Sequence, residues 1–392
     1  MKIIGVDVSK ASIVACPLQG MPDNPRQFFL EAEFFKLKAN KEGIKKLTEL
    51  KPDIAILEPT GVNYSRIWHI HLEKMGCEVR MADHAKLSYY RRHLRLADKT
   101  DHADALALAC YGWQYLNDKS RFNYPLPGII IELRSHILLL RHLNRCQSPL
   151  ENFIKQMLAS QFPEVSTTKS YVRKDKPAPL WMFLAEEEQV KRCENKLRES
   201  IGTGIQQNVR LHAKRLCDYQ RQEISLENQI REILERPEFA PYHKALEPFH
   251  FGLRTKATLI SYIYPFKRFL GEDGKPISEV SRGRYSGKLN KKRISRRRFH
   301  KYLGVAPTEK SSGDRKSKRV SGGISICRHV LWLYTFNRIE RKSARPDTKI
   351  CQDLGEFLDK KKASGVSSKK VKSIISSKIV RIIYSRLVKE LV

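Results

Sequence analysis

The sequence predicts a mixed α/β N-terminal domain, a helical and coiled-coil middle, and a mainly helical C-terminal domain. Three observations carry this. Short apolar runs near the N-terminus have strand length and then alternate with helix-length segments. A repeat with alternating three- and four-residue steps runs through the middle, and the last third is a basic stretch set among apolar helices. The domain boundaries that follow are 1–125, 126–240 and 241–392.

Formal net charge over the 392 residues is +32, from 74 Lys and Arg against 42 Asp and Glu. A surplus of that size points to a polyanionic partner, most simply nucleic acid, because phosphate contacts release condensed counterions. No apolar run approaches the roughly 18 residues of a membrane span, and the first residues lack a charged-then-apolar leader. A cytoplasmic location without a membrane partner is therefore expected. The 8 cysteines include no C-x-x-C pair, which fits reduced, structural thiols. His69 and His71 form an H-x-H within a helical stretch, where packing or solvation is a more ordinary role than zinc binding.

In the N-terminal domain, 3–9 reads as a buried strand with Asp7 set into it, 10–12 as a turn, 13–18 as a second strand and 28–38 as a third. A helix over 41–50 precedes the apolar strand 53–58, which ends on Glu58 and is broken by 59–61. Helix 62–75, strand 77–81, a basic helix 84–94 and a helix over 101–116 follow. An Asp inside an apolar strand is costly unless paired or liganded. Asp101 and Asp104, three residues apart, share one helix face. Each acid alone is most simply solvated or ion-paired. Together, Asp7, Glu58, Asp101 and Asp104 form a set of hard oxygen donors suited to magnesium. Two such ions about 4 Å apart can stabilise the attacking and leaving oxygens of a phosphodiester.

The pattern over 128–162 is helical, and 166–179 reads as a linker or exposed loop. From 201 to 235 a long helix is expected, with Ile205, Val209, Leu216, Tyr219, Leu226, Ile230 and Ile233 along one seam, a coiled-coil spacing suited to dimerisation. His212 and Glu223 interrupt the seam and are candidates for fixing register; a long helix packed within one subunit is the alternative. Between Glu279 and Glu309 there is no acidic residue but ten Lys or Arg. Such a run is usually a solvated face, but one this one-sided suits a phosphate backbone. Lys288, Lys291, Lys292, Arg293, Arg296, Arg297 and Arg298 are the candidate contacts. A short apolar element at 303–307 leads to a loop at 310–316, where Ser311 is flanked by Lys310, Arg315, Lys316 and Lys318. A serine in a loop is ordinarily a turn residue, but cations beside a hydroxyl suit attack on phosphorus. Arg315 and Lys316 join the candidate nucleic-acid contacts. A helix over 327–338 follows, and 369–392 reads as a basic amphipathic helix, another candidate phosphate or RNA contact.

These motifs resemble the insertion-sequence-110 transposases and the related Piv-like DNA invertases, over nearly the whole length. "IIGVDVSK", "ILEPTG" and "DKTDHADALALA" resemble the family's RuvC-like, ribonuclease-H-like domain, and carry its four acids onto Asp7, Glu58, Asp101 and Asp104. "LGVAPTEKSSGDRKSKRVSGGIS" resembles its transposase domain and puts the S-x-G serine at Ser311, with Ser312 beside it. The family's P-G-I-G turn is present only as Pro248 to Gly252, and 271–298 looks like an insertion. The resemblance implies magnesium on the four carboxylates, a covalent phosphoserine at Ser311, and one composite site. It implies double-stranded target and donor DNA, a structured bridge RNA that chooses them by base pairing, dimers that pair into tetramers, and work at the bacterial nucleoid. The rival expectations are a metal-only RuvC-type nuclease or junction resolvase, and a catalytically silent nucleic-acid-binding protein.

Overall fold

Alternation along the first strand decides the architecture of the N-terminal unit. The computed structural model of the protein describes residues 1–60, 63–96, 98–283, 287–312 and 315–392, and at 85, 309–312 and 315–319 the backbone alone. The chain divides into two units, Met1–Leu126 and Pro127–Val392. The first contains β1 (Ile3–Val8), β2 (Ser12–Leu18), α1 (Pro25–Glu31), β3 (Phe35–Lys38), α2 (Lys41–Glu49), β4 (Ile54–Leu57), α3 (Tyr64–Lys74), β5 (Glu78–Met81), α4 (His84–His93) and α5 (Asp101–Gln114).

The strands form one sheet in the order β3-β2-β1-β4-β5. Pairing is antiparallel from β1 to β2 and β2 to β3, and parallel from β1 to β4 and β4 to β5. Successive side chains point to opposite faces. Ile4, Val6, Ala55 and Leu57 meet Leu47 of α2 and Trp68 and Leu72 of α3. On the other face, Ile3, Ile54 and Ile56 pack with α5 and with Leu87 and Tyr90 of α4. Gly5 lies on this second face. A Cβ there would stand 2.0 Å from the Ala105 carbonyl oxygen and 2.4 Å from the Ala109 nitrogen, so α5 rides directly on the β1 backbone.

The expected strand 28–38 is corrected. Its first half belongs to α1, where the Asn24 side chain accepts a hydrogen bond from the Gln27 N–H and Pro25 occupies the first turn. That cap and proline are a local helix start signal which prevails over the alternating pattern, and only Phe35–Lys38 pairs as a strand.

The second unit is mostly helical: α6 (Gly128–Gln161), α7 (Pro163–Ser166), α8 (Pro179–Leu184), α9 (Lys191–Arg198), α10 (Gln207–Leu234), α11 (Ala240–Leu246), α12 (Leu253–Ile263), β6 (Ser278–Arg282), β7 (Leu289–Arg293), α13 (Ile294–Tyr302), β8 (Pro307–Ser312), β9 (Arg315–Val320), α14 (Ser325–Tyr334), α15 (Lys349–Ala363) and α16 (Ser368–Leu391). The seam of α10 is occupied inside the chain: Val209, Leu216, Leu226, Ile230 and Ile233 are buried, and the helix runs along α6. Both residues that interrupt the seam have partners. Glu223 accepts from Gln147 Nε2 at 3.2 Å and pairs with Arg254 at 2.8 Å, while the His212 ring meets Phe153 edge-on at 5.2 Å. They set the register of an intramolecular helix pair.

Two further expectations change. Ser311 lies in β8, a strand paired antiparallel with β9, not in a loop. The 369–392 segment is a core helix: Val371, Ile375, Ile379, Val380, Ile383 and Leu387 of α16 are all buried. Its Tyr384 packs on Phe266 and Phe299, and its Lys372 is buried against Glu340 at 3.1 Å. Among the described residues no helix is long and apolar enough to cross a membrane.

Replacing Gly5 with valine is expected to cost about 3 kcal/mol or more, the upper range for overpacking where backbone must give. Thermal denaturation followed by circular dichroism checks this; an unchanged midpoint would contradict the close approach of α5.

Candidate active site

Four of the five candidate catalytic residues lie in the first unit, where strand period and helix period bring them toward one another. Asp7 is two residues beyond Gly5 and so takes the same face of β1. Glu58 follows Ile56 by two residues, immediately after the last β1–β4 pair, Val6 with Leu57. Asp101 and Asp104 stand in the first turn of α5, one turn before Ala105 and Leu108, which bracket Gly5. The Thr100 side chain caps that turn by accepting from the Ala103 N–H at 3.1 Å. Both acids also complement the positive end of the helix.

The electrostatics record the convergence. Asp7 is pushed up to about 6, first by burial and then by the like charges of Asp104 and Asp101, with Lys99 and a backbone hydrogen bond opposing. Asp104, also buried, is raised by desolvation, while Arg91, Lys99 and His84 pull it back. Two side chains of α4 pair with the set. His84 pairs with Glu58 through its Nδ1. The buried Arg91 pairs with Asp104 at 3.3 Å and also reaches the Asp98 carbonyl at 3.4 Å.

The sequence reading saw α4 as a basic helix and did not assign these roles. The only signal was its charge, because the pairs join residues 26 and 13 positions apart. Among the described residues, no group of three or more His, Cys, Asp or Glu side chains is gathered closely enough to hold a metal ion. The donor chemistry nonetheless suits a hard cation. Asp7, Asp101 and Asp104 repel one another, a repulsion a divalent ion would remove, and Glu58 and Asp104 would exchange His84 and Arg91 for it.

In the second unit, β8 and β9 pair Lys310 with Ser317, Ser311 with Lys316 and Ser312 with Arg315. This register sets the serines against basic residues along the backbone. The side chains of Ser311, Ser312, Arg315 and Lys316 lie outside the described residues. The basic stretch forms a second hairpin, β6–β7, running directly into α13. Lys288, Lys291, Arg293, Arg297 and Arg298 are exposed, and Lys292 and Arg296 are half-buried. Val280 and Leu289 are also exposed on this hairpin. Arg296 is pulled down by burial and by Arg293, Arg381 and Arg297. The buried His300 of the same helix is held at about 4 by burial, with Arg381 and Arg296 reinforcing it. Arg381, on α16, is a member of this cationic group that the sequence reading missed.

Residues 286–350, which take in β7, α13, the serine-bearing hairpin and α14, match a transposase family model. That model describes the transposase IS116/IS110/IS902 family, the same family that the motifs resemble, and the match supports an IS110-family transposase. The match covers β7 through α14, including Ser311, and leaves the carboxylates outside. No curated protein matches the chain.

Without divalent ions, the raised Asp7 favours its protonated form in the folded state. The folded protein then binds the extra proton between about pH 4, where the unfolded acid titrates, and about pH 6. Stability therefore falls as pH rises through that window. Asp7→Asn is expected to be more stable than wild type above pH 6 and to lose that advantage by pH 4. Urea denaturation of both proteins across pH 4–8 measures it; parallel pH curves would refute the shift.

Proposed function

We propose that this transposase is an RNA-guided DNA recombinase whose N-terminal unit is a RuvC-like magnesium domain and whose nucleophile is Ser311. The observation that carries the reading is the convergence of Asp7, Asp101 and Asp104, with Glu58 beside them, on the α5 face of the sheet. A strand Asp, a strand-end Glu and a helical D-x-x-D are the acids the family resemblance implies.

In this reading Asp7, Glu58, Asp101 and Asp104 hold magnesium. When bound, the ion supplies a Lewis acid that offsets charge developing on phosphate oxygens. The Ser311 hydroxyl attacks phosphorus; a serine–phosphorus bond forms as the bond to the leaving sugar oxygen breaks, and the hydroxyl proton ends on that leaving oxygen. One phosphodiester is exchanged for another, so attack by a second DNA hydroxyl reverses the step and rejoins strands without an external energy source. Arg315 and Lys316, on the strand paired with Ser311, are assigned to the phosphate under attack. Lys288, Lys291, Lys292, Arg293, Arg296, Arg297 and Arg298 are assigned to nucleic-acid backbone.

The net charge of +32 supports two nucleic-acid partners, DNA and a structured guide RNA that leaves sequence choice to base pairing. Dimers and tetramers belong to the same reading. Because α6 covers the apolar seam of α10, the contact between copies falls to other surfaces.

Trapping under denaturing conditions tests the proposal. Wild type with magnesium and target DNA should give a covalent protein–DNA adduct, and Ser311→Ala should give none while still binding DNA. Asp7→Ala and Asp104→Ala should each lower adduct formation at least 100-fold, the scale of a lost electrostatic contributor. Strand cleavage that persists in Ser311→Ala with no adduct would instead establish the metal-only nuclease. Sequencing of RNA copurified with the protein checks guidance: a discrete species encoded beside the gene is expected, and none would remove the guide from the scheme.

A further inference from the structure

A trough of about 810 Å³ opens in the second unit between α6, α12 and α14. Its floor is apolar, formed by Ile137, Leu140, Ile326, Val330 and Leu333. These positions follow from helix period: Ile137 shares a stripe of α6 with Arg141 and Arg145, and Val330 shares a stripe of α14 with Tyr334. The stripe running from Val330 reaches Arg338 just beyond α14. The rim is cationic. Arg141, Arg145 and Arg338 are exposed and form no ion pair among the described residues, whereas the fourth arginine, Arg254, is held by Glu223 and Glu227. The imidazoles of His250 and His329 also line it, and no carboxylate does.

A volume of this size is in the range of small-ligand sites. An apolar floor with an unpaired cationic rim calls for a ligand with a flat apolar body and negative charge at its margin. The net charge of the chain argues against a second copy of itself as occupant. We propose that the trough receives an unpaired base of single-stranded DNA, with the flanking phosphates on Arg141, Arg145 and Arg338. A base that has left the stack exposes an apolar face, and burying that face on the floor of the trough offsets the lost stacking. The assignment rests on the DNA partner of the proposed function and adds a site for opened strand, away from Ser311 in sequence.

Fluorescence titration on the full chain tests it, using Ser311→Ala so that no cleavage intervenes. Three labelled probes of one length are compared: a single-stranded DNA, the same strand with its central bases removed, and the same sequence as RNA. The intact DNA is expected to bind about tenfold more tightly than the abasic strand, the gain from burying one base on the apolar floor. Val330→Trp, which fills the trough, should abolish that preference without weakening the abasic strand. Arg141→Gln with Arg145→Gln should weaken both strands alike, a variant that does not disturb the floor should the tryptophan fail to fold. Equal binding of intact and abasic strands by the parent overturns the proposal. So does tighter binding of RNA than DNA with the same base preference, or displacement from the trough by an acidic helical peptide but not by intact DNA. These outcomes are independent of the covalent adduct, whose absence from wild type would sink the serine mechanism instead.

Discussion

The N-terminal unit depends on one close approach, that of α5 to the backbone of β1 at Gly5. With no Cβ in the way, the helix carbonyl at Ala105 and the amide at Ala109 come to where a side chain would otherwise stand. Everything at the mouth of the helix is then placed by two periods. The strand period carries Asp7 onto the same face two residues later, and the helix period puts Asp101 and Asp104 one turn earlier. Parallel pairing of β4 with β1 brings Glu58 alongside. The carboxylates are thus gathered by packing that they oppose, since burial and mutual repulsion push Asp7 up. Arg91 and His84 from α4 make that gathering tolerable.

The second unit organises positive charge in a similar way. The aromatic faces of Phe266, Phe269, Phe299 and Tyr384 lock α13 to α16, and this brings Arg293 and Arg381 close enough, with burial, to pull Arg296 down. Such repulsion is maintained only because hydrophobic contacts exceed it, and a phosphate chain would relieve it. The same helix therefore packs into the core with one side and carries exposed arginines on the other.

How much was legible in the sequence depended on whether the deciding contact was local. Strands such as Ile54–Leu57 and the helix opened by Thr100 follow from apolar runs and a cap. The first half of 28–38 was misread because Asn24 and Pro25 start a helix where alternation suggests a strand. Ser311 was read as loop because Ser, Gly and Lys are poor strand formers, yet pairing with β9 supplies the order their propensity lacks. The tail reads as a basic amphipathic helix, and the structure adds that its apolar face is buried in the core. The carboxylates were legible one at a time; that His84 and Arg91 hold two of them was not, because those pairs exist only after the sheet has formed.

The register contacts between α6 and α10 have a geometric consequence. Glu223 and His212 tie the two long helices in register on either side of Pro149, the proline inside α6. At its far end Leu158 and Phe162 embed α8, with Trp181, in a small separate cluster. Nearer its start, Ile137 lies at the trough with α12. The 21 helical steps from Ile137 to Leu158 span about 31 Å at 1.5 Å per residue. The length of this helical arm thus sets how far the outlying cluster stands from the trough.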